Sequence, residues 1–161
     1  MKNIFKSIKR SKGISLLEVL LSISIIAIIL VMATRYYFVA SNNDKVNTTV
    51  SQLGGVIAAS HSWKGAQPTY TGVSVAELGS TNQLTNFPGF NNSGDAATLK
   101  TMWGQNITIA EDTTGGASLA AITMLLPDSV TCATLLRSFP SDSSANITSA
   151  CADSTFTYTF P

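Results

Sequence analysis

Over residues 14–34 the chain is apolar at every position except Ser15, Glu18, Ser22, Ser24 and Thr34. As a helix this run is apolar all round, the pattern of a segment that buries itself in lipid or among other helices. Its 21 residues would rise about 31 Å, close to the roughly 30 Å hydrocarbon thickness of a bilayer. Beyond it the pattern narrows to one face. Val39, Val46, Val50, Leu53 and Ile57 recur at spacings of seven, four, three and four, opposite Asn42, Asn43, Asp44, Asn47, Thr48 and Ser51. Gly54 and Gly55 each cost about 1 kcal/mol relative to alanine in a helix interior, yet the stripe passes through them. One long helix is predicted over residues 14–64, ending before Pro68. Its first half, 14–34, is apolar, and its second, 35–64, is amphipathic.

Residues 65–161 differ in character. Much of the chain's complement of 20 Ser and 19 Thr lies here, which favours strands, turns and a polar exterior over further helices. Ser74 and Glu77 form a capping-box pair for a short helix through about residue 78. Residues 85–94 are crowded with turn formers and read as a loop. The alternating stretch 105–110 and the apolar stretch 118–126, separated by the turn residues 112–116, are predicted to pair as a hairpin. Asp128 is placed to cap a helix carrying Val130, Leu135, Leu136 and Phe139. The final stretch, 154–160, alternates aromatic with hydroxyl residues, as a strand with one buried face does. The resulting fold class is α+β: an antiparallel sheet packed against the amphipathic half of the long helix.

Charge changes the picture at the N-terminus. Five of the ten basic residues, Lys2, Lys6, Lys9, Arg10 and Lys12, lie within the first twelve positions, whereas five positive and nine negative side chains lie beyond Gly13. Only Glu18 interrupts the stretch between Lys12 and Arg35. The positive-inside rule therefore holds residues 1–13 in the cytoplasm and exports the chain beyond the span. With three arginines and a formal net charge of +1 over 161 residues, the chain lacks the basic stripe that general nucleic-acid binding requires. An ordinary secretory signal cut near Ala33 or Ala40 would need an apolar run of about 7 to 15 residues; this run is longer and contains a carboxylate. A carboxylate inside a span costs about 2.5 to 3.5 kcal/mol on insertion scales, so it marks a partner or a function.

The sequence Gly13-Ile14-Ser15-Leu16-Leu17-Glu18-Val19 after a short basic leader resembles the class III signal of type IV prepilins. In that family a dedicated membrane peptidase cuts after the glycine and methylates the new amino terminus. The resemblance implies cleavage between Gly13 and Ile14, N-methylation of Ile14, and an assembly role for Glu18. Cleavage would discard every leader charge and leave one ammonium and one carboxylate in an apolar helix. When such helices pack, Glu18 of one copy neutralises the Ile14 amine of its neighbour, and leaving either charge unpaired in a buried setting costs about 3 to 5 kcal/mol. That penalty sets register. Ile14 and the 13-residue leader point to the type IVb branch. The chain departs from many family helices in having neither Gly nor Pro over residues 14–53.

The head is similar to type IVb pilins, including thin-pilus subunits of conjugative plasmids, in which Trp-Gly precedes a central strand, as Trp103 and Gly104 precede Ile107 here, and a cysteine pair closes a C-terminal loop. Cys132 and Cys151 are the only cysteines, and both fall in the exported part, where a disulfide is expected and two buried free thiols are the alternative. The resemblance implies a structural subunit rather than an enzyme, with identical subunits, a prepilin peptidase and an inner-membrane assembly platform as partners. Its path would run from the inner membrane to an extracellular filament. A type II secretion pseudopilin or minor pilin is the alternative within the family, and a membrane-anchored receptor or adhesin the alternative outside it.

Little else carries chemistry. His61 is the only histidine, and the sequence does not group near it the His, Cys or carboxylate companions that a zinc site or a catalytic triad needs. Glu111, Asp112 and Asp128 lack the ligand spacing of an EF-hand and read as a solvated turn and a helix cap. Asn47, Asn91, Asn106 and Asn146 each open a glycosylation pattern, as expected by chance in a chain this rich in Asn, Ser and Thr. No cofactor is expected. Ser22 and Ser24 are candidates for hydrogen bonding or close approach between helices.

Overall fold

The computed structural model describes residues 15–65, 67–114 and 118–161, with only the backbone of Asp95. The leader 1–13, its cleavage residues Gly13 and Ile14, and Gly115 and Gly116 of the anticipated hairpin turn lie outside the described residues. The chain forms two compact units, Met1–Ser41 and Asn42–Pro161. Helix α1, Leu16–Lys64, runs without interruption from the first into the second. The Ser15 carbonyl accepts from the Glu18 and Val19 amides at 2.9 and 3.2 Å, which starts the helix. Gly65 ends it: with φ +47° it takes the left-handed conformation of a C-terminal cap while its amide donates to the His61 carbonyl at 3.0 Å.

In the second unit the face of α1 that enters the core consists of Thr49, Gln52, Leu53, Val56, Ala59 and Ser60. This differs from the expected valine stripe. Val46, Val50 and Ile57 are only partly buried and Val39, in the first unit, is exposed. Polar residues join the face, and two of them are bonded there: Gln52 Nε2 donates to the Pro88 carbonyl at 2.7 Å and the Lys100 carbonyl at 3.3 Å, and Ser60 Oγ donates to the Val56 carbonyl at 2.7 Å. The glycine pair neither frays nor bends the helix enough to break it. Gly55 gives the Phe87 ring a seat where any β-carbon would collide with it, whereas Gly54 faces open space.

Six antiparallel strands come after the helix: β1 (Phe90–Asn91), β2 (Thr98–Lys100), β3 (Asn106–Glu111), β4 (Ala120–Leu125), β5 (Thr148–Ala152) and β6 (Thr155–Phe160). Their order in the sheet is β1-β2-β3-β4-β6-β5. The expected hairpin is β3 with β4, in the register Ile107↔Met124 and Ile109↔Ile122. The C-terminal strand β6 is inserted between β4 and β5, and pairs Ile122↔Tyr158 on one side and Cys151↔Phe156 on the other. Alternation places Ile107 and Ile109 of β3, Ile122 and Met124 of β4, and Phe156, Tyr158 and Phe160 of β6 in one core with Leu53 and Val56 of α1.

Two short helices complete the unit. Helix α2, Val75–Ser80, is capped by Ser74, whose hydroxyl accepts from the Glu77 amide at 3.1 Å. Helix α3, Ser129–Ser138, is capped by Asp128, which accepts from the Thr131 amide at 2.7 Å. Within α3, Cys132 and Leu135 are buried, whereas Val130 is 74% exposed. Trp103 and Gly104 form the turn from β2 into β3, where Gly104 has φ +78° and donates to the Thr101 carbonyl at 2.9 Å. Only a residue without a β-carbon takes that conformation at no cost.

Candidate functional site

The described part of the first unit has no core of its own. Along α1 the large apolar side chains from Leu16 to Met32 are all exposed, between 43% at Val19 and 78% at Leu16. Fully burying one side chain of this size is worth about 1.5 to 3 kcal/mol, so more than a dozen such residues left open to water describe a segment whose environment is something other than water. By length and composition this is the one helix among the described residues able to cross a membrane.

Polar atoms within the segment are handled locally. Ser22 Oγ donates to the Glu18 carbonyl and Ser24 Oγ to the Leu20 carbonyl, both at 2.8 Å, and Thr34 Oγ1 donates to the Val31 carbonyl at 3.0 Å. The two serine hydroxyl protons anticipated as links between helices are thus used inside the helix, so those hydroxyls carry no unmet donor into an apolar medium. Glu18 has no such arrangement. It stands exposed in the first turn of α1, where the helix dipole favours an anion, and no hydrogen bond or ion pair satisfies its carboxylate among the described residues. Past the run, Arg35, Tyr36, Tyr37 and Phe38 are exposed as well.

In the second unit Cys132 of α3 and Cys151 of β5 are joined by a disulfide with a Cα–Cα separation of 6.1 Å. It fastens α3 to the strand that closes the sheet. Closing a loop of this size is worth about 3 kcal/mol. His61 lies in no metal site: among the described residues no group of three or more His, Cys, Asp or Glu is placed to hold an ion. Its Nδ1 is 3.0 Å from the Tyr70 hydroxyl, which donates to the Pro161 backbone oxygen at 3.0 Å. Partial desolvation, then the nearby Lys64 ammonium, hold the His61 pKa below its usual value. The Lys64 ammonium lies 4.4 Å from the centre of the Tyr70 ring and donates to the Ser118 carbonyl at 3.3 Å. Tyr70, fully buried, carried no signal in the sequence that would have placed it at the centre of this clasp.

A helix with an outward apolar surface, one lone acid near its start, and a disulfide-stapled α+β head define a pilin of the type IV class. The sequence comparisons agree. The Bundlin family model matches residues 38–161, and the prokaryotic N-terminal methylation motif matches residues 8–34. The chain belongs to the Bundlin family, the bundle-forming pilins of the type IVb branch, and is a structural pilus subunit rather than an enzyme. Membership carries with it polymerisation and processing by a prepilin peptidase, and the apolar N-terminal helix fits a membrane-held precursor and a pilus. No curated protein and no solved structure matches the chain.

Proposed function

We propose that the chain is inserted in the inner membrane with residues 1–13 as a cytoplasmic leader, cut between Gly13 and Ile14, and methylated at the Ile14 amine. An assembly platform then draws the apolar half, 14–34, out of lipid and into a bundle of identical helices. The amphipathic half, 35–64, and the head, 65–161, form the extracellular wall of the filament. In the bundle the Glu18 carboxylate of one copy meets the Ile14 ammonium of the next. The pair lies in an apolar surround, so a copy one helical turn out of register leaves two unpaired charges, each costing several kcal/mol.

The observation that carries this reading is the exposure of every large apolar side chain of α1 from Leu16 to Met32, around a carboxylate with no partner among the described residues. Moving that surface from lipid to neighbouring copies keeps it out of water throughout, so extraction does not forfeit the hydrophobic term. The order Trp103-Gly104-strand and the Cys132–Cys151 loop support a likeness to conjugative-plasmid thin pili within the branch.

Intact-mass and terminal sequencing of the membrane-extracted protein test the processing step. Expressed with a prepilin peptidase, the chain should begin at Ile14 and carry one added methyl group. A chain that still begins at Met1, or is cut near Ala33 or Ala40, would contradict it.

A further inference from the structure

Glu18 and Arg35 are the only charged residues between Gly13 and Asp44, and they stand 17 positions apart. In α1 that separation is about 26 Å along the axis, a little less than the roughly 30 Å hydrocarbon layer. Immediately after Arg35 come Tyr36, Tyr37 and Phe38, exposed by 77%, 70% and 66%. Consecutive helix positions are turned about 100° from one another, so the three side chains leave the rod on three sides, with the Tyr37 and Phe38 rings leaning together edge to face at 6.0 Å. They form a girdle around the rod instead of a stripe along it, and a single packed neighbour cannot cover all three. Tyrosine, with an apolar ring and a polar tip, belongs at the membrane–water boundary. Arginine next to it keeps its stem in the apolar layer while its planar guanidinium reaches phosphate oxygens.

We infer that Arg35, Tyr36, Tyr37 and Phe38 bind the phospholipid headgroup layer on the side of the membrane opposite the basic leader, and thereby set the depth of the precursor. The girdle fixes the far end of the span. Counting back along the helix, Glu18 then lies a few ångströms inside the near boundary, where its carboxylate reaches water until assembly gives it a partner. The bond between Gly13 and Ile14, which precedes Glu18 by only four positions in the chain, then belongs to the near side, the side of an enzyme working at that face. This placement rests on the cleavage site of the proposed function; the girdle itself does not.

The test places a probe at Ile25, ten residues from Arg35 and so about 15 Å from the girdle, half the hydrocarbon thickness. Full-length precursor with Ile25→Cys, labelled with an environment-sensitive fluorophore, is reconstituted in vesicles of phosphatidylethanolamine and phosphatidylglycerol containing lipids brominated at either shallow or deep chain positions. Strongest quenching by the deepest bromines is expected. Replacing the girdle by leucines (Arg35→Leu, Tyr36→Leu, Tyr37→Leu, Phe38→Leu) lengthens the apolar run and should move the probe off the midplane by about 3 Å, two helical residues. A shallow probe in the parent protein, or the same depth in both proteins, overturns the inference; in the second case the girdle serves contacts between copies. Leader removal is scored on the same samples. Girdle-dependent depth with cleavage elsewhere than Gly13 would contradict the proposed function and leave the girdle standing, while cleavage after Gly13 with girdle-independent depth would do the reverse.

Discussion

Residues 16–32 and residues 49–60 belong to the same helix, and their backbones are alike, but their side chains meet opposite fates. Leu53 and Val56 are wholly buried, whereas Leu20, Ile25 and Leu30 are each more than half exposed. The second stretch is stabilised from within its own chain, by sheet, loops and the Phe87 ring. The first can be stabilised only from outside. A change in the head should therefore register in the melting of a single chain, and a change in the apolar run should register only in the membrane or the filament.

The largest separation of the two is expected from a pair of truncations. Phe156 is fully buried in β6, and Phe156→Ala should cost about 3 to 5 kcal/mol. This would be seen by thermal denaturation of the full chain in detergent. Ile25→Ala in the apolar run should leave that melting curve in place while lowering filament yield. Equal effects on melting would erase the distinction between the regions.

Removing the disulfide with Cys132→Ser and Cys151→Ser together should cost about 3 kcal/mol, again confined to the head. Alkylation before and after reduction checks the bond itself: two free thiols in the native protein would contradict it.

The neighbouring glycines sharpen the point within two residues. Gly55→Ala displaces the Phe87 ring and should destabilise by about 1 to 3 kcal/mol. Gly54→Ala, which meets nothing, should stabilise by up to about 1 kcal/mol because alanine is the better helix former. Chemical denaturation of both variants reads the opposite signs.

The smallest effect is electrostatic. The folded state holds the His61 pKa below its usual value, so the unfolded chain takes up a proton more readily. Stability is then full above about 6.5 and declines as the pH falls through that value toward the folded one. His61→Gln should flatten this part of the pH–stability profile. Asp128 and Asp142 are shifted down by hydrogen bonds from Thr131 and Ser144, so their contribution is lost only at more acid pH.

The elements that could be read from the sequence are those whose signal is local. The apolar run, the hairpin of β3 and β4, the caps at Ser74 and Asp128 and the alternating β6 each depend on residues a few positions apart, and each stands where it was expected. The features that stayed hidden depend on partners far along the chain. The face of α1 takes in Gln52, which reaches carbonyls at Pro88 and Lys100, 36 and 48 residues away. Gly55 reads as a helix weakness until Phe87 is seen filling it. Strand β5, alternating exposed and half-buried small residues, has no apolar pattern, and it forms because β6 offers it an edge. In the candidate site the lone Glu18 was plain from composition, but the internal bonding of Ser22 and Ser24 needed the helix to be built.

The pairing of Glu18 with a neighbouring terminus is tested most directly by Glu18→Ala, expressed with the peptidase and scored for both leader removal and sheared filaments under the electron microscope. Such pairing predicts normal cleavage after Gly13, an unchanged melting curve for the head, and filament yield reduced at least tenfold, the effect of a loss of about 1.4 kcal/mol or more per contact. Filaments at the parent yield from the cleaved variant would contradict it.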